Sequence, residues 1–321
     1  MTTRLTTALV FLLTAAGALA QDYPTRSVTI VVPNPPGGMN QIHAQPLSAV
    51  LEKLTNNPFP VVNRPGGTAA LGTAYVVSQQ PADGYNILVT TPNLFLVIEK
   101  DKLYGVKSPF SLDQVELLAR LSADPLIMVV HPSMPVKNVK QLVALAKAKP
   151  NEIVFSSSGP YGITHTPTAM FLHAAGIKMR HLPTTGGGPA ITQALGGHAQ
   201  LTGGGPAALY AHTQSGKLRA IASWGVKPHP AFPDVPTFQS LGYKNVEAYL
   251  WVGLFTRKGI PEPTLNKMRD IIRKAAADPL FRQALEKVQV VPDYLEGPDF
   301  QKFFDEDYKR LAAAIKNIGK L

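Results

Sequence analysis

Residues 27–42, "SVTIVVPNPPGGMNQI", join a run of β-branched residues to the start of a helical pattern through prolines and paired glycines. Ser27–Val32 reads as a buried strand, and apolar residues at helical spacing continue to Leu54. A strand handed to a helix in this way is half of a parallel-sheet unit. The unit repeats as "FPVVN", a helix through Val77, and "NILVT". It restarts after Ala123 with "PLIMVVH", then Val139, Leu142, Val143 and Ala146 at helical spacing, then "EIVFSSS". A helix pattern "THTPTAMFLHAAG" and the strands "MRHLP" and "LRAIASW" follow, and from Pro261 the pattern is mostly helical. This order predicts an α/β fold of two lobes. Lobe 1 is expected over 21–124 plus 246–321 and lobe 2 over 125–245, with the apolar "AYLWVGLF" returning the chain to the first lobe. Two crossings make a hinge, and a hinge between α/β lobes encloses a cleft.

The first twenty residues, "MTTRLTTALVFLLTAAGALA", have a basic start at Arg4, an apolar centre from Ala8 to Leu13 and small residues at Ala18 and Ala20. They read as a secretory signal peptide cleaved near Ala20, its apolar part too short to cross a bilayer. The remainder has no second run of membrane length, so an exported, soluble protein is expected. It has no cysteine, hence no disulfide and no cysteine-linked lipid anchor. Stability must come from a core, which 45% apolar content supplies.

The net charge is +10 and only 16% of residues are charged. The lysines are scattered over helices such as "VKNVKQLVALAKAKP", without Lys/Arg clusters or interleaved aromatics, so no nucleic acid is expected as a partner. A basic solvated surface accounts for the charge; positive potential favouring an anionic ligand also would.

In an open α/β sheet, ligands bind beyond the carboxyl ends of strands, where helix N-termini offer free N–H groups. In "PNPPGGMNQI", Gly37 and Gly38 let the backbone approach a ligand while Pro33, Pro35 and Pro36 stiffen the approach. Such a loop suits a carboxylate, although an ordinary strand-to-helix turn looks the same. "FSSSGPYGITH" places Ser156, Ser157, Ser158 and Thr164 at a similar junction, with Tyr161 and His165 beside them. "PTTGGGPA" (with Thr185) and "LTGGGPA" (with Gly203 and Gly204) add two glycine-rich helix starts, each with a proline, Pro189 or Pro206, in the first turn. Together these junctions are rich in donors and almost without acid.

Catalytic arrangements fit less well. Ser157 lacks the first glycine of a nucleophile elbow, since Phe155 stands there. His165 has no orienting acid marked by any pattern, so a hydrolase using Ser157 and His165 is a remote alternative. The eight histidines form no zinc motif. "GGTAALGT" is no nucleotide P-loop and no glycine run matches the dinucleotide fingerprint. No cofactor and no metal are expected, and the chain is not read as an enzyme.

The segments "YPTRSVTIVVPNPPGGMNQI", "VVNRPGGTAALGT", "QQPADGYNIL", "SSSGPYGITH", "SGKLRAIA" and "HPAFPDVPTFQSLGY" resemble, in order and over nearly the whole mature chain, the Bug-type periplasmic receptors of tripartite tricarboxylate transporters. The resemblance implies a periplasmic-binding-protein (venus-flytrap) fold and capture of a small carboxylate for membrane transporter subunits, by a protein expected to be a monomer in the periplasm. It implies two carboxylate cradles, Gly37, Gly38, Met39 and Asn40 facing Ser157, Ser158, Thr164 and His165. The usual family loop reads Pro-Phe-Pro-Pro-Gly-Gly-Gly-Thr-Asp, so here Asn34, Met39, Asn40 and Gln41 replace Phe, Gly, Thr and Asp. A second position where an acid is common is Gly203. Losing acids from the cleft should favour a dicarboxylate over an amine-bearing ligand. Pro46 should either kink the first helix or start it.

"TTPNLFLV" sets Phe95, with Thr91 and Asn93, just beyond a strand end. If Phe95 and Tyr161 face the cleft rather than the core, they offer a flat apolar surface between polar cradles. That geometry would suit an aromatic dicarboxylate, specifically terephthalate. A linear C4–C6 dicarboxylate or a nicotinate-type monocarboxylate is the alternative.

Overall fold

In a computed structural model of the chain, which describes residues 23–321, two sheets organise the molecule. The expected signal peptide and its cleavage near Ala20 lie outside the described residues. The chain runs β1 (Thr29–Val32), α1 (Met39–Thr55), β2 (Val61–Asn63), α2 (Ala70–Ala74), β3 (Asn86–Thr90), α3 (Asn93–Tyr104) and β4 (Val115–Pro125). It continues with β5 (Ile127–Val130), α4 (Val139–Ala148), β6 (Val154–Ser157), α5 (Thr166–Ala175), β7 (Arg180–Pro183), α6 (Gly187–Leu195), β8 (Leu201–Gly204), α7 (Pro206–Gln214) and β9 (Arg219–Ser223). The last part is β10 (Tyr249–Arg257), α8 (Glu262–Ala277), α9 (Pro279–Lys287), β11 (Pro292–Glu296) and α10 (Gly297–Ile318).

One sheet has the order β11-β4-β10-β3-β1-β2 and the other β7-β6-β8-β5-β9. β1 is parallel to β2 and β3, as the strand–helix alternation requires. Only Leu126 separates β4 in the first sheet from β5 in the second. The returning segment lies beside it: Trp224 N donates to Leu126 O at 3.0 Å, and Ala248 N donates to Trp224 O at 3.1 Å. β10 then pairs antiparallel with β3 and along β4, Trp251 opposite Ala123. The buried Trp251 ring packs against Phe95, Phe255, Phe300 and Phe304, and its indole N–H donates to Asp307 at 2.7 Å. The core of the first lobe is therefore built partly from the chain's last helix.

α1 starts at Met39 behind an extended Gly38 and ends on Asn56, left-handed at φ 54° with its N–H on Glu52 O. Pro46 lies inside it, so the later start that Pro46 would have allowed is not taken. β11 interrupts what the sequence reads as a mostly helical tail. It is a short acidic edge strand whose partner β4 is distant in sequence, and its own residues show little alternation.

Candidate functional site

The loops after β1, β3, β6, β7 and β8 converge between the two sheets, at the carboxyl ends of those strands. From the first lobe come Asn34, Pro35, Gly38, Met39, Asn40, Gln41, Thr91, Asn93 and Leu250; from the second, Ser158, Ile163, Thr164, Gly187, Ile191, Gly204, Gly205 and Ala208. They enclose about 50 Å³, counted over positions that a water centre can occupy. One water needs roughly 10–15 Å³ on that measure, so the space holds a few waters or one small ligand.

None of these lining residues is Asp, Glu, Lys, Arg or His. The polarity comes from how the amides are committed. Asn34 Oδ1 accepts from Asn40 Nδ2 at 2.6 Å, and Gln41 Oε1 accepts from Asn63 Nδ2 at 3.0 Å. Asn93 Oδ1 accepts from Ile163 N, in the opposite lobe, at 2.7 Å. Three side-chain acceptors are thus used within the protein, which leaves the NH₂ groups of Asn34, Gln41 and Asn93 to donate. Thr164 donates to Ser158 Oγ at 3.0 Å and itself accepts from Ser158 N at 2.8 Å, so the Ser158 hydroxyl hydrogen is also free. Thr91 Oγ1 and Asn40 Oδ1 are buried without a hydrogen-bond partner. Finally, α1, α6 and α7 begin at this cleft with no acidic residue in the first turn, and their leading N–H groups lack intrahelical acceptors. The arrangement is a small, nearly uncharged enclosure dominated by donors, with apolar walls from Pro35, Met39, Ile163, Ile191, Ala208 and Leu250.

Of the residues expected at the site, Gly38, Met39, Asn40, Ser158, Thr164 and Gly204 line this cavity. The others do not. Gly37 borders an outer recess with Gly188, Pro189 and Thr192. Phe95 is fully buried against Trp251, Phe304 and Tyr308, with ring centroids 5.4–6.0 Å apart; it is core because α3 turns that face inward. Tyr161 points toward the end of the chain: its hydroxyl donates to Gly319 O at 2.8 Å, accepts from Leu321 N at 3.0 Å and lies 3.0 Å from Tyr104 Oη. Thr185 is exposed. Gly203 faces Trp224, whose ring would lie 3.3 Å from an added Cβ, so an acid there would meet the indole rather than a ligand.

Ser157 and His165 do not form a nucleophile–base pair. Ser157 Oγ pairs instead with His181 Nε2 at 2.6 Å, while His165 Nδ1 accepts from Tyr161 N at 3.2 Å. His165 and His181 lie 4.3 Å apart, centroid to centroid, beside Phe155. Burial pushes His165 down to about 3, helped by His181, and pushes His181 down to about 4. Both are neutral packing groups behind Ser158 and Thr164.

A third histidine supports the start of α1. His43 is fully buried in α1. Its Nδ1 must donate to the Met39 carbonyl, 2.8 Å away, which leaves Nε2 to accept from Ser122 Oγ at 2.8 Å. Burial holds it down at about 4. The first turn of α1 is thereby fixed to β4.

Several lining residues escaped the sequence reading. Gly187 and Gly205 belong to the two Gly-Gly-Gly-Pro-Ala runs; Pro206 at the first helical position marks Gly205 as the cap, a usable signal. Ile163, Ile191, Ala208 and Leu250 carry none, because an apolar residue facing a cleft reads as core.

A model of the tripartite tricarboxylate transporter family receptors matches residues 44–320. Protein BugT of Bordetella pertussis is 27% identical over 311 residues, covering 95% of this chain and 93% of that protein. The solved periplasmic binding protein BugD superposes with a TM-score of 0.83 at 26% identity, over 92% of this chain and 99% of that one. Rpa4515 of R. palustris, solved with adipate, gives 0.85 at 22% identity over 93% and 99%, a likeness of fold.

Proposed function

The chain belongs to the tripartite tricarboxylate transporter receptor family, and from that premise we propose that it captures a linear C4–C6 dicarboxylate between its lobes. It is a solute-binding receptor, not an enzyme. The observation that carries the ligand class is the donor-dominated, charge-free cavity with walls from both lobes. Each carboxylate would accept charge-assisted hydrogen bonds from amides and hydroxyls, near helix N-termini that favour negative charge. An aliphatic spacer fits walls that contain no aromatic ring. Phe95 and Tyr161, the residues that suggested terephthalate, are engaged elsewhere. A nicotinate-type monocarboxylate would leave one set of donors unmatched. Export with cleavage near Ala20, action as a monomer in the periplasm, and delivery to membrane subunits of a tripartite transporter complete the proposal.

The test is a thermal-shift screen followed by calorimetry with succinate, malate, glutarate, glutamate, adipate, terephthalate, nicotinate and the half-amide of the best binder. A ligand that binds only the native state raises the melting temperature. The half-amide should bind at least tenfold more weakly, about 1.4 kcal/mol. Equal binding of an amino acid with a free amine, or of terephthalate, overturns this ligand class.

A second reading rests on Asn40 Oδ1, the buried acceptor without a partner. A ligand hydroxyl would satisfy it, which favours a hydroxylated dicarboxylate. Malate binding more tightly than succinate supports this; the reverse order removes it.

A further inference from the structure

We propose that Met39 gauges ligand length, setting the receptor for the short end of the dicarboxylate series. The inference rests on the dicarboxylate reading above.

Met39 is the first residue of α1, in the first lobe, and its side chain is almost wholly buried. It crosses the cleft to the backbone of Gly205, the cap of α7 in the second lobe. A Cβ placed on Gly205 would lie 2.9 Å from Met39 Sδ, 3.1 Å from Cγ and 3.4 Å from Cε. The thioether therefore packs on a bare glycine, so this crossing of the cleft is filled by one unbranched side chain. Gly204, Gly205 and Ala208 line the cavity beside it, all small. The space that remains, about 50 Å³, is what Met39 leaves unfilled. Among the lining residues, Met39 is the long flexible apolar side chain spanning from one lobe to the other. Its backbone is held in place, since its carbonyl accepts from the buried His43.

A longer diacid must push this side chain out of the gap or hold the lobes apart. Thioethers adapt more readily than branched side chains, so the penalty should be graded with length rather than absolute. One methylene more or less in an apolar pocket is worth roughly ten- to two-hundredfold in discrimination. Shortening residue 39 removes the stop and exposes the start of α7 to the ligand.

The experiment measures calorimetric affinities for succinate, glutarate, adipate, pimelate and suberate with the wild type, Met39→Ala and Met39→Leu. The wild type should prefer succinate or glutarate to suberate. Met39→Ala should weaken succinate binding and move the optimum to a longer member, changing the suberate-to-succinate ratio at least tenfold. Met39→Leu, which nearly conserves volume, should keep the wild-type order and shows that any shift is not a general effect of substitution. Melting temperatures without ligand confirm folding of both variants. If the wild type binds diacids but Met39→Ala keeps the same rank order, the gauge is overturned and the dicarboxylate reading stands. If the wild type binds no member of the series, both fall.

Discussion

Thr91 lines the cavity and has a buried hydroxyl with no protein partner. Such a group destabilises the empty protein and becomes useful when a ligand accepts its hydrogen. Thr91→Val, similar in shape, should raise the melting temperature of the unliganded protein. It should also weaken dicarboxylate binding roughly ten- to hundredfold, the equivalent of about 1.5–3 kcal/mol for a bond to a charged group. Calorimetry and thermal melts on one sample test both signs. Gln41 makes the opposite case: its Oε1 is committed to Asn63, so its NH₂ is what it offers the cleft. Gln41→Asp would bring a negative charge beside a carboxylate, and affinity should fall at least tenfold by calorimetry, about 1.4 kcal/mol. These residues also show how far the sequence can be read. A glycine pair after a strand marks Gly38, Met39 and Asn40, because backbone access and helix start are local properties. Phe95 and Tyr161 could not be placed the same way. Whether an aromatic ring beyond a strand end faces ligand or core is decided by distant partners, here Phe304 and Tyr308 for one and Gly319 and Leu321 for the other.

The loop between β6 and α5 bears on the stability of the closed arrangement and on its response to acid. Tyr161 sits there at φ 57°, and with Tyr104 of α3 it holds the segment after α10 through bonds to Gly319 O and Leu321 N. Tyr161→Phe removes its bonds to Gly319 O and Leu321 N, leaving the one from Leu321 N to Tyr104, without emptying the space. At about 0.5–1.5 kcal/mol for a neutral bond, ligand affinity should drop several-fold while far-ultraviolet circular dichroism stays unchanged. Behind the same loop, His165 and His181, with His43 in α1, have folded pKa values of about 3, 4 and 4, all lowered chiefly by burial. The unfolded chain binds these protons near 6.5, so the folded state is disfavoured as soon as the unfolded histidines charge. Their contribution is complete above about pH 6.5 and is lost as pH falls from there toward 3–4. Unfolding free energies in urea should be flat from these groups above pH 7. Below pH 6 they should decline by up to about 1.4 kcal/mol per unit for each of the buried His43 and His165. A flat profile down to pH 4.5 would show that these histidines are not buried in solution. At this scale the alternation of strand and helix was legible from β1 to β3 and from β5 to β7, since each parallel pair repeats the same local pattern. β11 was not, because an edge strand owes its form to its neighbour β4.

The whole molecule is two sheets joined by adjacent crossings, β4 into β5 and the segment from Trp224 to Ala248. Between these crossings Asp124 is almost fully buried, its Oδ1 3.1 Å from His229 Nε2 and 3.3 Å from Val291 N. His229 Nδ1 accepts from Ala231 N, which assigns the Nε2 proton to the bond with Asp124. This contact ties β4 to the far lobe beside the two crossings. A ligand that touches both lobes binds the closed form better and shifts the population toward it. Small-angle scattering should show a smaller radius of gyration at saturating ligand, and an unchanged profile would remove the hinge mechanism. The hydrogen bond from Ile163 N to Asn93 Oδ1 spans the two lobes at the cavity wall, and it has a consequence for time as well as for affinity. A ligand walled by both lobes can leave only when that wall parts, so a second molecule in solution has no way to displace it. Exchange of a bound labelled diacid should therefore proceed at a single rate that does not rise with the concentration of unlabelled competitor. Asn93→Ala, which weakens the wall without adding charge, should shorten the residence time more than it changes the rate of capture.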